Sequence, residues 1–111
     1  MSVFMVIEAD IQDEDRFSAY ASATLKLVIQ FGGRYRVLGG SKTFLEGNWG
    51  KTKVVISEWP SMEAAEAFWN SEEYAEIKKL RSGIADCKVM LAETLAEEKW
   101  IDVVRALDAD H

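Results

Sequence analysis

Apolar positions along this chain switch between alternating and three-four spacing, and those switches predict the order of its elements. Val3-Phe4-Met5-Val6-Ile7 is nearly continuous, as in a strand covered on both faces, and ends at Glu8-Ala9-Asp10. Asp13-Glu14-Asp15 then offers an N-cap and an acidic first turn to the positive end of a helix dipole. Phe17, Tyr20, Ala21, Thr24, Leu27, Val28 and Phe31 follow at helical spacing along one face. Gly32-Gly33 stops that helix, because the left-handed backbone that closes a C-terminus suits glycine.

Arg34 to Leu38 reads as a second strand, with Gly39-Gly40 as a turn or bulge. Thr43, Phe44 and Leu45 have the composition to extend it, before the turn signal Gly47-Asn48-Trp49-Gly50. Lys53 to Trp59 is a third strand, rich in β-branched residues and ended by Pro60. Ser61 caps a second helix with Met62, Ala65, Phe68 and Trp69 inward. Ser71, followed by Glu72-Glu73, caps a restart that turns Tyr74, Ile77, Leu80 and Ile84 inward, with Gly83 near its end. Cys87 to Leu91 is the fourth strand. From Leu95 onward, Trp100, Val103, Val104 and Leu107 recur among acids as one amphipathic helical stripe.

The order is β-α-β-β-α-β plus a helical tail, which predicts an α+β, ferredoxin-like fold. Its four-stranded antiparallel sheet carries both main helices on one face. Residues 1–94 form the domain and residues 95–111 a C-terminal helical extension. The uncovered face of the sheet would be a large apolar patch unless something packs on it.

Length and charge narrow the function. At 111 residues the chain is one domain, and its net charge of −6 argues against a nucleic-acid partner, which needs clustered Lys and Arg. Arg34 and Arg36 are the only close arginine pair. The single cysteine, Cys87, forms no internal disulfide and fits a reducing compartment. Met1-Ser2-Val3-Phe4 lacks the basic region of a signal peptide, and no apolar run approaches the ~20 residues that span a bilayer. A cytoplasmic protein with no membrane partner is expected.

Reactive groups are few. The only histidine is His111, at the terminus, so no Ser-His-Asp or Cys-His arrangement is available. No His or Cys pair has metal-ligand spacing, and Asp10, Asp13 and Asp15 are explained by helix capping. Neither a metal nor a cofactor is expected. Cys87 in an apolar strand reads as core.

What remains are ionisable residues on strands that otherwise look buried: Glu8, Arg34, Arg36, Glu58 and Glu93. Strand alternation puts Glu58 on one face with Val54 and Ile56, and Ser57 and Trp59 on the other. It also pairs Arg34 with Arg36 and Tyr35 with Val37. One reading makes these charges ion pairs at strand ends or across a subunit seam. The other places a pocket between sheet and helices. There Arg34 holds an anionic or carbonyl substrate and Glu58, its pKa raised by an apolar wall, accepts a proton. Tyr35, Trp59, Phe68 and Trp69 are its walls, and Glu8 joins the ligand-binding set. The aromatic residues otherwise read as core, except Trp49, whose glycine-flanked turn makes it a contact residue.

The stretch Phe31-Gly32-Gly33-Arg34-Tyr35-Arg36-Val37-Leu38-Gly39-Gly40 carries a family resemblance. So does Ser61-Met62-Glu63-Ala64-Ala65-Glu66-Ala67-Phe68-Trp69-Asn70-Ser71-Glu72-Glu73-Tyr74 with Leu80-Arg81. Together they resemble the small bacterial family catalogued as domain of unknown function 1330, within the dimeric α/β-barrel superfamily, over Val3 to Thr94. The resemblance implies a C2 homodimer through sheet faces. It also makes Arg81, at the end of the matching helix, a further anion-binding candidate. Relatives in the superfamily include cofactor-free oxygenases, lactone isomerases and haem binders, and haem is disfavoured without an internal histidine. The leading expectation is a homodimer that binds or acts on a small anionic or aromatic metabolite by acid–base chemistry. Its alternatives are a non-catalytic interaction module and a cofactor-free monooxygenase-like enzyme. A binder should retain a concave pocket with convergent polar groups, whereas an interaction module should fill its interior with the aromatics.

Overall fold

In the computed structural model, which describes residues 2–109, β1 (Val3–Ile11) lies inside a four-stranded antiparallel sheet. It pairs on one side with β3 (Lys53–Trp59) and on the other with β4 (Ala85–Glu93), and β2 (Arg34–Leu38) forms the edge beyond β3. Helix α1 (Glu14–Gln30) connects β1 to β2, and α2 (Met62–Trp69) with α3 (Glu72–Lys78) connects β3 to β4. These helices cover one face of the sheet, the ferredoxin-like α+β arrangement expected. A last helix, α4 (Glu97–Ala109), follows β4.

Alternation along β1 puts Val3, Met5 and Ala9 under the helices and turns Phe4, Val6 and Glu8 to the outer face. Helix α1 begins where Asp13 Oδ1 accepts the Arg16 backbone N–H at 3.1 Å. It ends with the Gly32 N–H donating to the Ile29 carbonyl at 3.1 Å and the Gly33 N–H to the Val28 carbonyl at 2.8 Å. The two glycines serve different needs. Gly32 holds a positive φ of 90°, while a Cβ on Gly33 would lie 2.8 Å from Val28 Cγ1 and 2.9 Å from the Trp59 ring. Ser61 accepts from the Ala64 N–H, and Ser71 accepts from the Tyr74 N–H while donating to the Phe68 carbonyl, so the helix breaks and restarts as its caps predict.

Four features depart from the sequence reading. β1 and β4 run further than Ile7 and Leu91, because each keeps finding a partner, with Glu8 opposite Lys88 and Asp10 opposite Asp86. Residues 39–52 form a loop without a strand, in which Phe44 and Trp49 stack at 5.7 Å and Trp49 Nε1 donates to the Glu46 carbonyl. In β2 the register slips between Tyr35 and Val37, so Tyr35 opposes buried Ser57 while Val37 opposes Ile56. Tyr35 and Val37 therefore occupy opposite faces, because the bulge at Arg36 adds a residue to the alternation.

The fourth departure lies after α3. Lys79–Arg81 form a 3₁₀ turn, and its tighter winding leaves Leu80 exposed while Arg81 is half-buried toward α1. In α4 the stripe of Trp100, Val103, Val104 and Leu107 is exposed, and none of the helix is buried. His111 lies outside the described residues.

Candidate functional site

The space between helices and sheet is filled at one end and open at the other. At the filled end Phe68 packs with Trp59, Tyr74 and Phe31 at ring separations of 4.9, 4.7 and 6.1 Å. Trp59 and Phe68 are each 1% exposed, and Trp59 Nε1 donates to Ser57 Oγ at 2.9 Å. At the open end, facing side chains are short: Ala9 and Cys87 on the sheet, Ala21 and Thr24 on α1. They leave a cavity of about 290 Å³, walled by Ile7, Phe17, Leu25, Leu38 and Val55. Its polar groups are Tyr20, Thr24, Tyr35, Lys53, Cys87 and, at the helix surface, Ser22.

Of the three tyrosines of the chain, Tyr20 and Tyr35 line this cavity and Tyr74 stands behind Tyr20. The Tyr20 and Tyr74 hydroxyls are 2.7 Å apart and buried, and the Arg81 guanidinium lies 5.5 Å from the centre of the Tyr20 ring. Burial, aided by nearby Tyr20, pushes the Tyr35 phenol up to about 12. Burial and Tyr20 likewise push Tyr74 well above its ordinary value, against the opposing pull of Arg81. For Arg81 itself, burial opposes the charge, but the Tyr74 hydroxyl and the neighbouring phenols outweigh it and raise the pKa. Burial also pushes the Cys87 thiol up, with Arg81 pulling the other way. Near neutral pH the cluster therefore holds neutral Tyr35, Tyr74 and Cys87 beside a cationic guanidinium. Two polar atoms in the region are buried without a partner, Thr24 Oγ1 and Arg81 Nε.

At its mouth the cavity meets a wider depression of about 480 Å³, with which it shares Ala9 and Lys53. Lys42, Lys51 and Lys53 line that depression, opposed by Glu14, and Phe44 of the long loop forms part of its wall. An apolar chamber with hydroxyls inside and lysines at the entrance suits a small molecule with an apolar body and an anionic or acceptor oxygen.

The sequence-predicted site divides between the two faces of the sheet. Arg34 and Glu58 are opposite one another on β2 and β3, both on the outer face, and Glu58 Oε1 is held by Arg36 Nε at 2.9 Å. Glu8 lies on the same outer face, opposite Val54 and Lys88. Tyr35 lines the cavity, whereas Trp59 and Phe68 belong to the filled core. Trp69 is half-buried, 5.1 Å from the Tyr74 ring and with Lys78 Nζ 4.7 Å over its own. Arg81 stands one step behind Tyr20. The sheet thus separates the Glu58 carboxylate from the four aromatic residues predicted to wall its pocket.

Tyr20, Thr24, Lys53, Tyr74 and Cys87 were not among the predicted site residues. Only Tyr20 and Thr24 left a signal: two hydroxyls one helical turn apart on a stripe otherwise closed by Phe17, Leu27 and Val28.

Residues 2–95 match the domain of unknown function DUF1330. The chain belongs to that family. The DUF1330 match ends before α4, so the exposed helix lies outside it. Among solved structures, the chain is similar to the RPA0582 protein of unknown function from Rhodopseudomonas palustris. The identity is 19%, covering 86% of this chain and 83% of that one, with a TM-score of 0.71. It is also similar to SnoaB, a cofactor-independent oxygenase from Streptomyces nogalater, at 16% identity over 86% and 98% of the two chains, TM-score 0.63. The protein At3g17210 from Arabidopsis thaliana is similar at 14% identity over 85% and 96%, TM-score 0.63. At such identities the likeness concerns the fold. No curated protein matches the chain.

Proposed function

We propose that this DUF1330 protein binds, and acts by acid–base chemistry on, a small anionic or aromatic metabolite seated between α1 and the sheet. The observation that carries the reading is the convergence of Tyr20, Tyr35, Tyr74 and Arg81 beside an otherwise apolar cavity. The lysines at the mouth favour an anionic substituent on the ligand. SnoaB, a cofactor-independent oxygenase, lends the fold a precedent for chemistry without a cofactor, by analogy of fold alone. Residues 1–94 carry the site, and residues 95–111 are an appendage to it.

The protein works as a homodimer in this reading, with the outer face as its seam. Val37 and Met90 are exposed there, and Trp49 lines a groove with Val6, Val54 and Met90 that a second sheet would cover. A second reading, a non-catalytic interaction module, draws on the Arg36–Glu58 ion pair, which gives that carboxylate a surface partner. No helix among the described residues is long and apolar enough to cross a membrane, and the free thiol of Cys87 suits the cytoplasm.

A melting-temperature screen of small phenols and carboxylic acids tests the binding reading. At least one should raise the melting temperature of the parent, and Ala9→Leu, which fills the cavity, should abolish that rise while keeping native circular dichroism. A stabilising compound whose effect survives Ala9→Leu counts against the cavity. Sedimentation equilibrium tests the seam: the parent should sediment as a dimer and Ile56→Lys as a monomer.

A further inference from the structure

The polar lining of the cavity is one-sided. Tyr20, Tyr35, Thr24, Lys53 and Cys87 each have a proton to donate, and neither a carboxylate nor an imidazole lines the chamber. An unpaired anionic oxygen would be matched there. The acid–base role left to this chamber is to stabilise or protonate an oxyanion, since no carboxylate or imidazole in the lining can take a proton.

The cluster behind the wall gives this lining a direction. The Arg81 guanidinium lies 5.5 Å from the centre of the Tyr20 ring, and its positive charge favours phenol oxygens turned toward it. The two hydroxyls are 2.7 Å apart and either can donate; the direction that serves the cavity has Tyr74 donating to the Tyr20 oxygen. With that oxygen accepting, the Tyr20 proton is left for an acceptor outside the pair, and Tyr20 lines the cavity. Thr24 contributes independently. It is 7% exposed, lines the same cavity, and its Oγ1 has no partner. A native structure rarely leaves such a hydroxyl unmatched unless something else meets it.

We propose that Tyr20, oriented by Tyr74 and Arg81, forms with Tyr35 and Thr24 an oxyanion site that takes its ligand ionised, as an enolate or phenolate. The inference rests on the cavity being the ligand site and goes beyond it by fixing the charge state of what binds. The proton balance is simple: the ligand hydroxyl loses its proton to solvent, and the resulting oxyanion accepts hydrogen bonds from the hydroxyls. Arg81 is a positioning residue, its charge acting through the two phenols. The other charged or titratable groups around the cluster are Lys53 from β3, Cys87 and Asp86 from β4, Lys78 near Cys87, and Glu14 at the mouth. The two carboxylates, Asp86 and Glu14, oppose an oxyanion, but neither lines the chamber, whereas Lys53 does.

Two physical effects oppose one another, which gives the test its sign. A merely apolar chamber penalises charge and raises the pKa of a bound phenol, whereas preorganised donors lower it. The probe is 4-nitrophenol, whose phenolate absorbs visible light and which titrates near neutrality. 4-Nitroanisole, which cannot ionise, serves as the control for the cavity itself. In the full-length protein, bound 4-nitrophenol should ionise about one pH unit lower than free, a roughly tenfold preference for the phenolate. Tyr20→Phe and Tyr35→Phe should each reduce that preference severalfold, read within each variant against its own 4-nitroanisole affinity. Arg81→Met should weaken it, and Arg81→Lys should restore part of it.

If both compounds bind but the 4-nitrophenol pKa is unmoved or raised, the oxyanion site is overturned and the cavity reading stands. If neither binds, both fall. A downward shift that persists undiminished in folded Tyr20→Phe would also overturn the assignment.

Discussion

Thr24 illustrates the residue scale most plainly. Its hydroxyl oxygen is buried and unpartnered, so stability alone would favour the isosteric methyl. Thr24→Val should stabilise the protein by up to about 1 kcal/mol in urea denaturation, because it removes an unsatisfied group without changing volume. The Tyr20–Tyr74 pair runs the other way. Tyr74→Phe removes one of two hydroxyls that satisfy each other and should cost about 1–2 kcal/mol. The phenols also set a pH dependence. Tyr35 is raised to about 12 in the folded state, so between its ordinary value and about 12 the unfolded chain has already lost a proton that the folded chain keeps. Stability is therefore full below that window and falls as pH rises through it. Tyr74, raised for the same leading reason, extends the fall. Urea midpoints measured across the alkaline range should decline in the parent and decline less in Tyr35→Phe. These residues were hard to read from the sequence because a hydroxyl on a helical stripe looks like core. What distinguishes Tyr20 is its meeting with Tyr74, fifty-four residues away.

At the scale of elements, local chemistry was legible and partner-dependent geometry was not. Asp13, Ser61 and Ser71 announce the helix starts because a cap is a contact over three residues. Gly32-Gly33 announces the end of α1, although the sequence alone does not separate their roles. Gly33→Ala should destabilise by about 1–3 kcal/mol through overpacking against Val28 and Trp59, measured by urea denaturation. The bulge at Arg36 and the 3₁₀ turn at Lys79–Arg81 depend on register with β3 and packing on α1, which no local signal encodes. Both matter to the site. The bulge follows Tyr35, which faces the cavity, and sends Val37 outward; the 3₁₀ turn brings Arg81 rather than Leu80 toward Tyr20. The predicted Glu58–Arg34 pocket missed its aromatic walls for a related reason. Alternation assigned Glu58 correctly to the face opposite Trp59, and the helices cover the face with Trp59.

For the whole molecule, the ferredoxin-like order was readable because every long element has a strong period, and only α4 stands apart from the packed body. Its exposed stripe makes no buried contact in the single chain. Removing residues 96–111 should leave the melting temperature of dilute protein unchanged to within a few degrees, by differential scanning calorimetry. The two rims of the sheet differ just as sharply. β2 is five residues long, bulged and carries Arg34 and Arg36, all features that spoil a strand as a template for another backbone. β4 is nine residues long and pairs with β1 without a slip from end to end, leaving Asp86, Lys88 and Glu93 as its main deterrents. Misassembly into fibrils would therefore start from the β4 rim, and screening those three charges with salt would hasten it.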